Sequence, residues 1–143
     1  MKPKLNILKN ELTFKSSTDH LHEVRNFVEI NGNKVGLSDK TIAHISLAVD
    51  EACTNIIKHA YNNLLDKKIK VKIETSNSQF IVIITDNGKH FDPNKIPEPN
   101  IEKNQKMKKG GGLGMFLMKK LMDEVHYNSK VNGNELILIK NYN

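Results

Sequence analysis

Residues 40–61 (KTIAHISLAVDEACTNIIKHAY) return an apolar side chain every three or four positions: Ile42, Ile45, Val49, Ala52, Cys53, Ile56, Ile57 and Ala60. At about 100° per residue these share one face of a long helix, which the fold has to cover with a second layer. Ser38 or Asp39 is its N-cap, since a short side-chain oxygen there accepts a free backbone N–H of the first turn. Glu51 and Asn55 fall nearly opposite the apolar face, one turn apart, where solvated surface residues are the plain expectation. Cys53 lies on the apolar side as a small core residue rather than a nucleophile. It is the sole cysteine, which excludes an internal disulfide and a zinc-ligand cluster.

The partners for that helix are legible on both sides of it. Residues 4–15 alternate Leu5, Ile7, Leu12 and Phe14, reading as one or two short strands. Ser17 or Thr18 caps a helix over 19–30, with Leu21, Val24, Phe27 and Val28 as its stripe, and Asn31-Gly32-Asn33 is expected to stop it. Residues 69–75 alternate Ile69, Val71 and Ile73 with Lys70, Lys72 and Glu74, a strand with one wet face. Residues 80–85 are nearly all apolar and predict a strand buried on both faces, ending at Asp86-Asn87-Gly88. Residues 89–109 are polar, contain Pro93, Pro97 and Pro99 and show no periodicity, as a functional lid or a disordered segment would. A third helix begins within 110–114 and carries Leu113, Phe116, Leu117, Leu121 and Met122 on one face. Residues 125–130 and 135–140 close the chain as a hairpin turning at Asn132-Gly133.

With 143 residues, no repeat and no linker, residues 1–143 are expected to form a single domain. No apolar run is long enough to span a bilayer, and the N-terminus lacks the apolar core of a signal peptide, so a cytoplasmic protein is expected. The net charge of +6 comes from scattered lysines with Arg25 the sole arginine. Without an aromatic-interleaved basic patch or a helix-turn-helix pattern, nucleic acid is not an expected partner.

Three short stretches carry chemistry. Asp86-Asn87-Gly88 reads as a plain turn, yet the residues after it do not begin a matching strand. A carboxylate ending a core strand can accept a hydrogen bond from an exocyclic amine, and Gly88 lets a ligand approach the backbone. The run Gly110-Gly111-Gly112-Leu113-Gly114 opens an amphipathic helix, where free N–H groups and the helix dipole attract phosphate; a flexible hinge is the bland alternative. It matches neither a Walker A loop nor a Rossmann turn. Lys106, Lys108 and Lys109 can reach such phosphates, although a lysine run is commonly just solvated. An Asn55 amide oxygen suits Mg²⁺, and Glu51 one turn earlier can deprotonate an attacking hydroxyl. His59 continues that ridge but is expected at the helix C-terminus, while His44 and His90 have no partner in the pattern.

In this order and spacing, SLAVDEACTNIIKHAY, ITDNGKHFDP and GGGLGMFLMKKLMDEVHY resemble the GHKL ATPase superfamily (gyrase, Hsp90, histidine kinases and MutL). The chain is most similar to its stand-alone bacterial anti-sigma regulatory factors, from about residue 10 to the C-terminus. The resemblance implies an α+β fold, a two-layer α/β sandwich of the Bergerat type. Its mixed, mostly antiparallel sheet would be covered on one face by helices, with an ATP lid at about 89–109. It implies ATP and Mg²⁺ as cofactors, Glu51 as catalytic base and Asn55 as metal ligand. Asp86 and Gly88 would read adenine, and Lys109, Gly110, Gly111, Gly112, Leu113 and Gly114 would surround the phosphates. It also implies a serine/threonine kinase acting on a STAS-domain anti-sigma factor antagonist, with a sigma factor as the other partner; whether the chain is a homodimer stays open. The alternative is a non-catalytic module of the same fold in which ATP gates binding of a partner. A histidine kinase domain fits less well, since there is no helix bearing a phosphoacceptor histidine. After Gly88 this chain has Lys89-His90 where relatives commonly carry another glycine or a proline pair.

Overall fold

The computed structural model describes residues 6–7, 10–91 and 112–142. Strands β1 (Asn6–Ile7) and β2 (Glu11–Lys15) precede a 3₁₀ turn (Thr18–His20), α1 (Leu21–Lys34), α2 (Asp39–Asn55) and a π-helical turn (Ile56–Ala60). Then follow β3 (Lys68–Thr75), β4 (Gln79–Asp86), α3 (Gly112–Leu121), β5 (Glu124–Lys130) and β6 (Gly133–Asn141). The six strands form one sheet in the order β1-β2-β3-β4-β6-β5, and every described pairing is antiparallel. The three helices lie on one face, with α2 packed against both α1 and α3. This is the expected α+β sandwich.

The core lies between the layers. Leu12, Phe14, Ile69, Val71, Phe80, Val82, Ile84, Leu136 and Leu138 meet Val24, Val28, Ile45, Val49, Ile56 and Met118. Each such side chain contributes roughly 1.5–3 kcal/mol on burial. β4 departs from expectation: Phe80, Val82, Ile84 and Asp86 are buried, but Ile81, Ile83 and Thr85 are only half-buried. No described helix covers that second face, so Ile81 and Ile83 are shielded mainly by their cross-strand partners Ile139 and Ile137.

Two helix ends also differ. The 3₁₀ turn is capped by Ser17, and α1 runs past Asn31-Gly32-Asn33 to Lys34. Gly32 is a packing site rather than a stop: a Cβ there would meet Ile42 Cγ1 at 2.8 Å. The helix ends instead at Gly36, whose φ of 80° only glycine adopts readily. There Leu37 N–H donates to Gly32 O (3.0 Å) and Gly36 N–H to Asn33 O (3.1 Å), a Schellman closure. Ser38 does cap α2, accepting from Thr41 N–H at 3.1 Å. However, α2 leaves α-helical geometry after Asn55 and finishes as the π-helical turn, not as α-helix to Tyr61. The closing hairpin turns at Val131-Asn132, and Gly133 is already the first residue of β6.

Candidate functional site

The site is organised by the end of α2 and the turn that follows β4. Glu51 is half-buried, but Asn55 is not the solvated residue that its angle on the helix suggested: it is 5% exposed. α3 packs along the flank of α2, and the buried arc of α2 is wider than its apolar stripe, taking in Ala48 and Asn55. The Asn55 amide nitrogen has no hydrogen-bond partner among the described residues. A buried polar atom left this way costs free energy unless a ligand meets it. Burial raises the Glu51 pKa, the neighbouring Asp50 charge raises it further, and Lys58 opposes both. Asp50 is itself raised by burial, against the pull of Arg25, whose Nη1 lies 2.9 Å from Asp50 Oδ2. Cys53 is fully buried and its thiol is pushed up by burial, as fits a core residue.

Asp86 is 4% exposed at the end of β4. Its Oδ1 accepts from Gly88 N–H (2.8 Å) and from Asn134 Nδ2 (3.0 Å), while Oδ2 is buried without a partner among the described residues. Burial raises its pKa, and the Gly88 N–H, the Asn134 amide and the charge of His90 pull it back. What approaches Gly88 closely is the chain's own α2 end, because a Cβ there would lie 2.6 Å from Ala60 O. Lys89 N–H donates to that same carbonyl at 2.7 Å.

Two residues that pattern reading passed over hold this turn. Tyr61 hydroxyl donates to Lys68 O (2.5 Å) and accepts from Asn87 N–H (2.8 Å). Asn134, 3% exposed, reaches Asp86 from β6. A signal for Asn134 existed: it shares inward parity with Leu136 and Leu138, and a polar residue in a buried register needs a reason. Tyr61 gave no such signal, since an aromatic at the end of an apolar stripe is ordinary core.

His59 is not engaged with the helix terminus. Its ring stacks obliquely on Phe91 at 5.5 Å, its Nε2 is buried without a described partner, and burial and Lys58 lower its pKa. His90, expected to be unpartnered, meets Lys130 O at 2.8 Å. Of the phosphate-loop residues, Gly112, Leu113 and Gly114 form the first turn of α3, as a helix opening on glycines requires. Lys109, Gly110, Gly111 and all but the first three residues of the expected lid lie outside the described residues. A cavity of about 450 Å³ is lined by Tyr61, Leu64, Lys67, Lys68, Asn87 and Gly88 among others. Gly88 lines it, but none of Glu51, Asn55 and Asp86 does.

The described residues hold no group of three or more His, Cys, Asp or Glu fit for a metal ion. Magnesium does not ask for one, since it keeps waters and draws on substrate phosphates. Among the described residues, Asn55 Nδ2 and Asp86 Oδ2 are buried without partners on two adjoining elements, a free donor and a free acceptor that suit a ligand offering both, as a nucleotide does. None of the described helices is long and apolar enough to cross a membrane.

The sequence pattern of the histidine kinase-like ATPase domain matches residues 14–140. The chain is similar to the serine-protein kinase RsbW of Oceanobacillus iheyensis, 34% identical over 68% of this chain and 65% of that protein. The RsbW of Listeria innocua is 34% identical over 65% of this chain and 62% of its own length. That of Halalkalibacterium halodurans is 32% identical over 80% and 72% respectively. The chain thus spans less than two thirds of the first two relatives. With the matched pattern extending over both the α2 ridge and the Asp86 turn, the chain belongs to the histidine kinase-like ATPase family of the GHKL superfamily, in the group of the RsbW proteins.

Proposed function

We propose that the chain is an ATP-dependent protein serine/threonine kinase that acts as an anti-sigma regulatory factor and phosphorylates a STAS-domain antagonist. The observation that carries this reading is the pair of buried residues Asn55 and Asp86, each with a side-chain atom that has no partner among the described residues. Asp86 Oδ2 takes a hydrogen bond from the 6-amino group of adenine. The Asn55 amide would meet the triphosphate and its cation, with its oxygen as a ligand for Mg²⁺ and its nitrogen as a donor to a phosphate oxygen. Backbone N–H groups at the start of α3, with Gly110, Gly111 and Lys109 before it, hold the remaining phosphate charge. Bound Mg-ATP supplies the γ-phosphoryl group, whose bond to the β-phosphate oxygen breaks as a partner's hydroxyl oxygen attacks. Glu51 takes the proton of that hydroxyl. Burial and the neighbouring Asp50 charge raise its pKa, which makes the carboxylate a stronger base than an ordinary glutamate. The RsbW relatives, named as serine-protein kinases, support serine as the acceptor.

The test is transfer from labelled Mg-ATP to STAS-domain proteins captured from the host lysate, with Glu51→Ala as control. Label on a partner serine or threonine is expected, and Glu51→Ala should reduce it by about 10²–10⁴-fold while keeping ATP affinity. Transfer that survives the substitution removes Glu51 from the role of base. ATP binding without transfer to any captured partner would identify an ATP-gated binding module instead.

A further inference from the structure

The Asp86 turn is gripped by an amide whose hydrogen-bonding capacity is wholly used. Asn134 Nδ2 donates to Asp86 Oδ1 (3.0 Å) and to Lys89 O (2.9 Å). Its Oδ1 accepts from Tyr127 hydroxyl (2.6 Å) and from Phe91 N–H (3.2 Å). Two donors and two acceptor positions are all that an asparagine side chain has. The orientation of the amide follows from its partners. Turned over, it would set its oxygen against the Lys89 carbonyl and the Asp86 carboxylate, and its NH₂ against the Phe91 N–H.

We propose that Asn134 is a positioning residue for base recognition: it pins one oxygen of Asp86 and thereby presents the other to a 6-amino purine. This rests on the nucleotide-binding reading of Asp86. The terminal torsion of an aspartate is soft and nearly two-fold, so an unanchored carboxylate presents either oxygen over a broad arc. Here both fixed bonds, from Gly88 N–H and Asn134 Nδ2, fall on Oδ1, and Oδ2 is left buried and unpartnered among the described residues. The same amide ties down Lys89 and Phe91, so the backbone leaving the turn is fixed together with the carboxylate. Asn134 has no capacity left with which to touch a base itself. It acts through Asp86.

The experiment compares equilibrium affinities of the full chain for ATP and for ITP, which carries a 6-oxo group where ATP has the 6-amino group. The wild-type protein, Asn134→Ala and Asn134→Asp are measured side by side. N134D keeps the side-chain volume but turns the donor facing Asp86 into an acceptor, so it remains informative if N134A fails to fold. The expected result is a wild-type preference for ATP that falls by about tenfold or more in both variants, the factor set by losing a hydrogen bond to a charged group. A residue that only supports the fold would weaken both nucleotides by the same factor and leave their ratio unchanged. An unchanged ratio beside a clear wild-type preference overturns the role of Asn134 and leaves Asp86 as the adenine reader. A wild-type protein with no preference overturns both.

Discussion

Replacing Asp86 with asparagine tests the candidate site at its centre. The substituted side chain keeps an oxygen where Gly88 N–H and Asn134 Nδ2 donate, at 2.8 and 3.0 Å, so the turn should hold its shape. What changes is the unpartnered position, where the carboxylate oxygen Oδ2 becomes an NH₂ group. On the proposed reading, an acceptor for the adenine 6-amino group becomes a second donor facing it. A hydrogen bond to a charged group contributes about 1.5–3 kcal/mol, so ATP affinity should fall by roughly 10- to 150-fold. Calorimetric titration of both proteins with Mg-ATP at neutral pH measures the change. Affinities within about twofold of each other would refute the assignment, since that is well below the loss of one charged hydrogen bond. The same pair carries a second, ligand-free signature. Burial raises the Asp86 pKa above the ordinary 3.8, so the folded state takes up this proton before the unfolded state does. The stability that Asp86 contributes is therefore fully present below 3.8 and is lost as pH rises through the raised folded value. Relative to D86N, the wild-type protein should gain stability as pH is lowered through that window, and a difference of opposite slope would show that the carboxylate is stabilised by its surroundings instead.

Two further substitutions probe how the turn is built. Gly133→Ala places a Cβ into the Asp86 carbonyl oxygen at a backbone φ of 135°, so clash and strain combine. It should cost about 3 kcal/mol or more in denaturant unfolding, and a loss under about 1 kcal/mol would mean that β6 can shift away from the turn. Tyr61→Phe leaves Lys68 O and Asn87 N–H without their shared hydroxyl. A loss of about 1–3 kcal/mol and a several-fold weaker ATP affinity are expected; unfolding curves that overlay the wild type would show that water replaces the hydroxyl without cost.

Much of this architecture follows from local pattern. The alternation of β2 and β3, the α2 stripe and the glycine opening of α3 each appear where periodicity puts them. The departures share a cause, which is that a one-dimensional pattern does not say what lies on the far side of an element. The run from Phe80 to Thr85 is apolar on both faces, yet all three helices fall on one side, and only the register of β4 against β6 shows how Ile81 and Ile83 are sheltered. Asn55 looked solvated because the apolar stripe accounts for one neighbour of α2, while the helix has α1 on one flank and α3 on the other. Gly32 looked like punctuation because close approach of Ile42 leaves no trace in residues 31–33. The three chemical motifs were legible as motifs. Their anchoring was not, because Tyr61 and Asn134 act across 26 and 48 positions of sequence.

That anchoring also gives the end of the π-helical turn its outside partners. The carbonyls of a final helical turn have no intrahelical donor and must be met from outside. At Ala60 the donor is Lys89 N–H, and one residue later Tyr61 hydroxyl receives Asn87 N–H, so the end of α2 and the turn after β4 cap each other. Asn55 begins this stretch and Asp86 begins the other, so the separation between the proposed metal-binding amide and the proposed adenine-reading carboxylate is held by one backbone hydrogen bond and the buried Tyr61 hydroxyl. Gly88 sits at the contact, 2.6 Å from the Ala60 oxygen at its Cβ position. Any larger residue at 88 would wedge the two elements apart, and on the proposed reading a nucleotide would no longer find Asn55 and Asp86 at one spacing. A site set in this way tolerates change on its surface and very little at the seam.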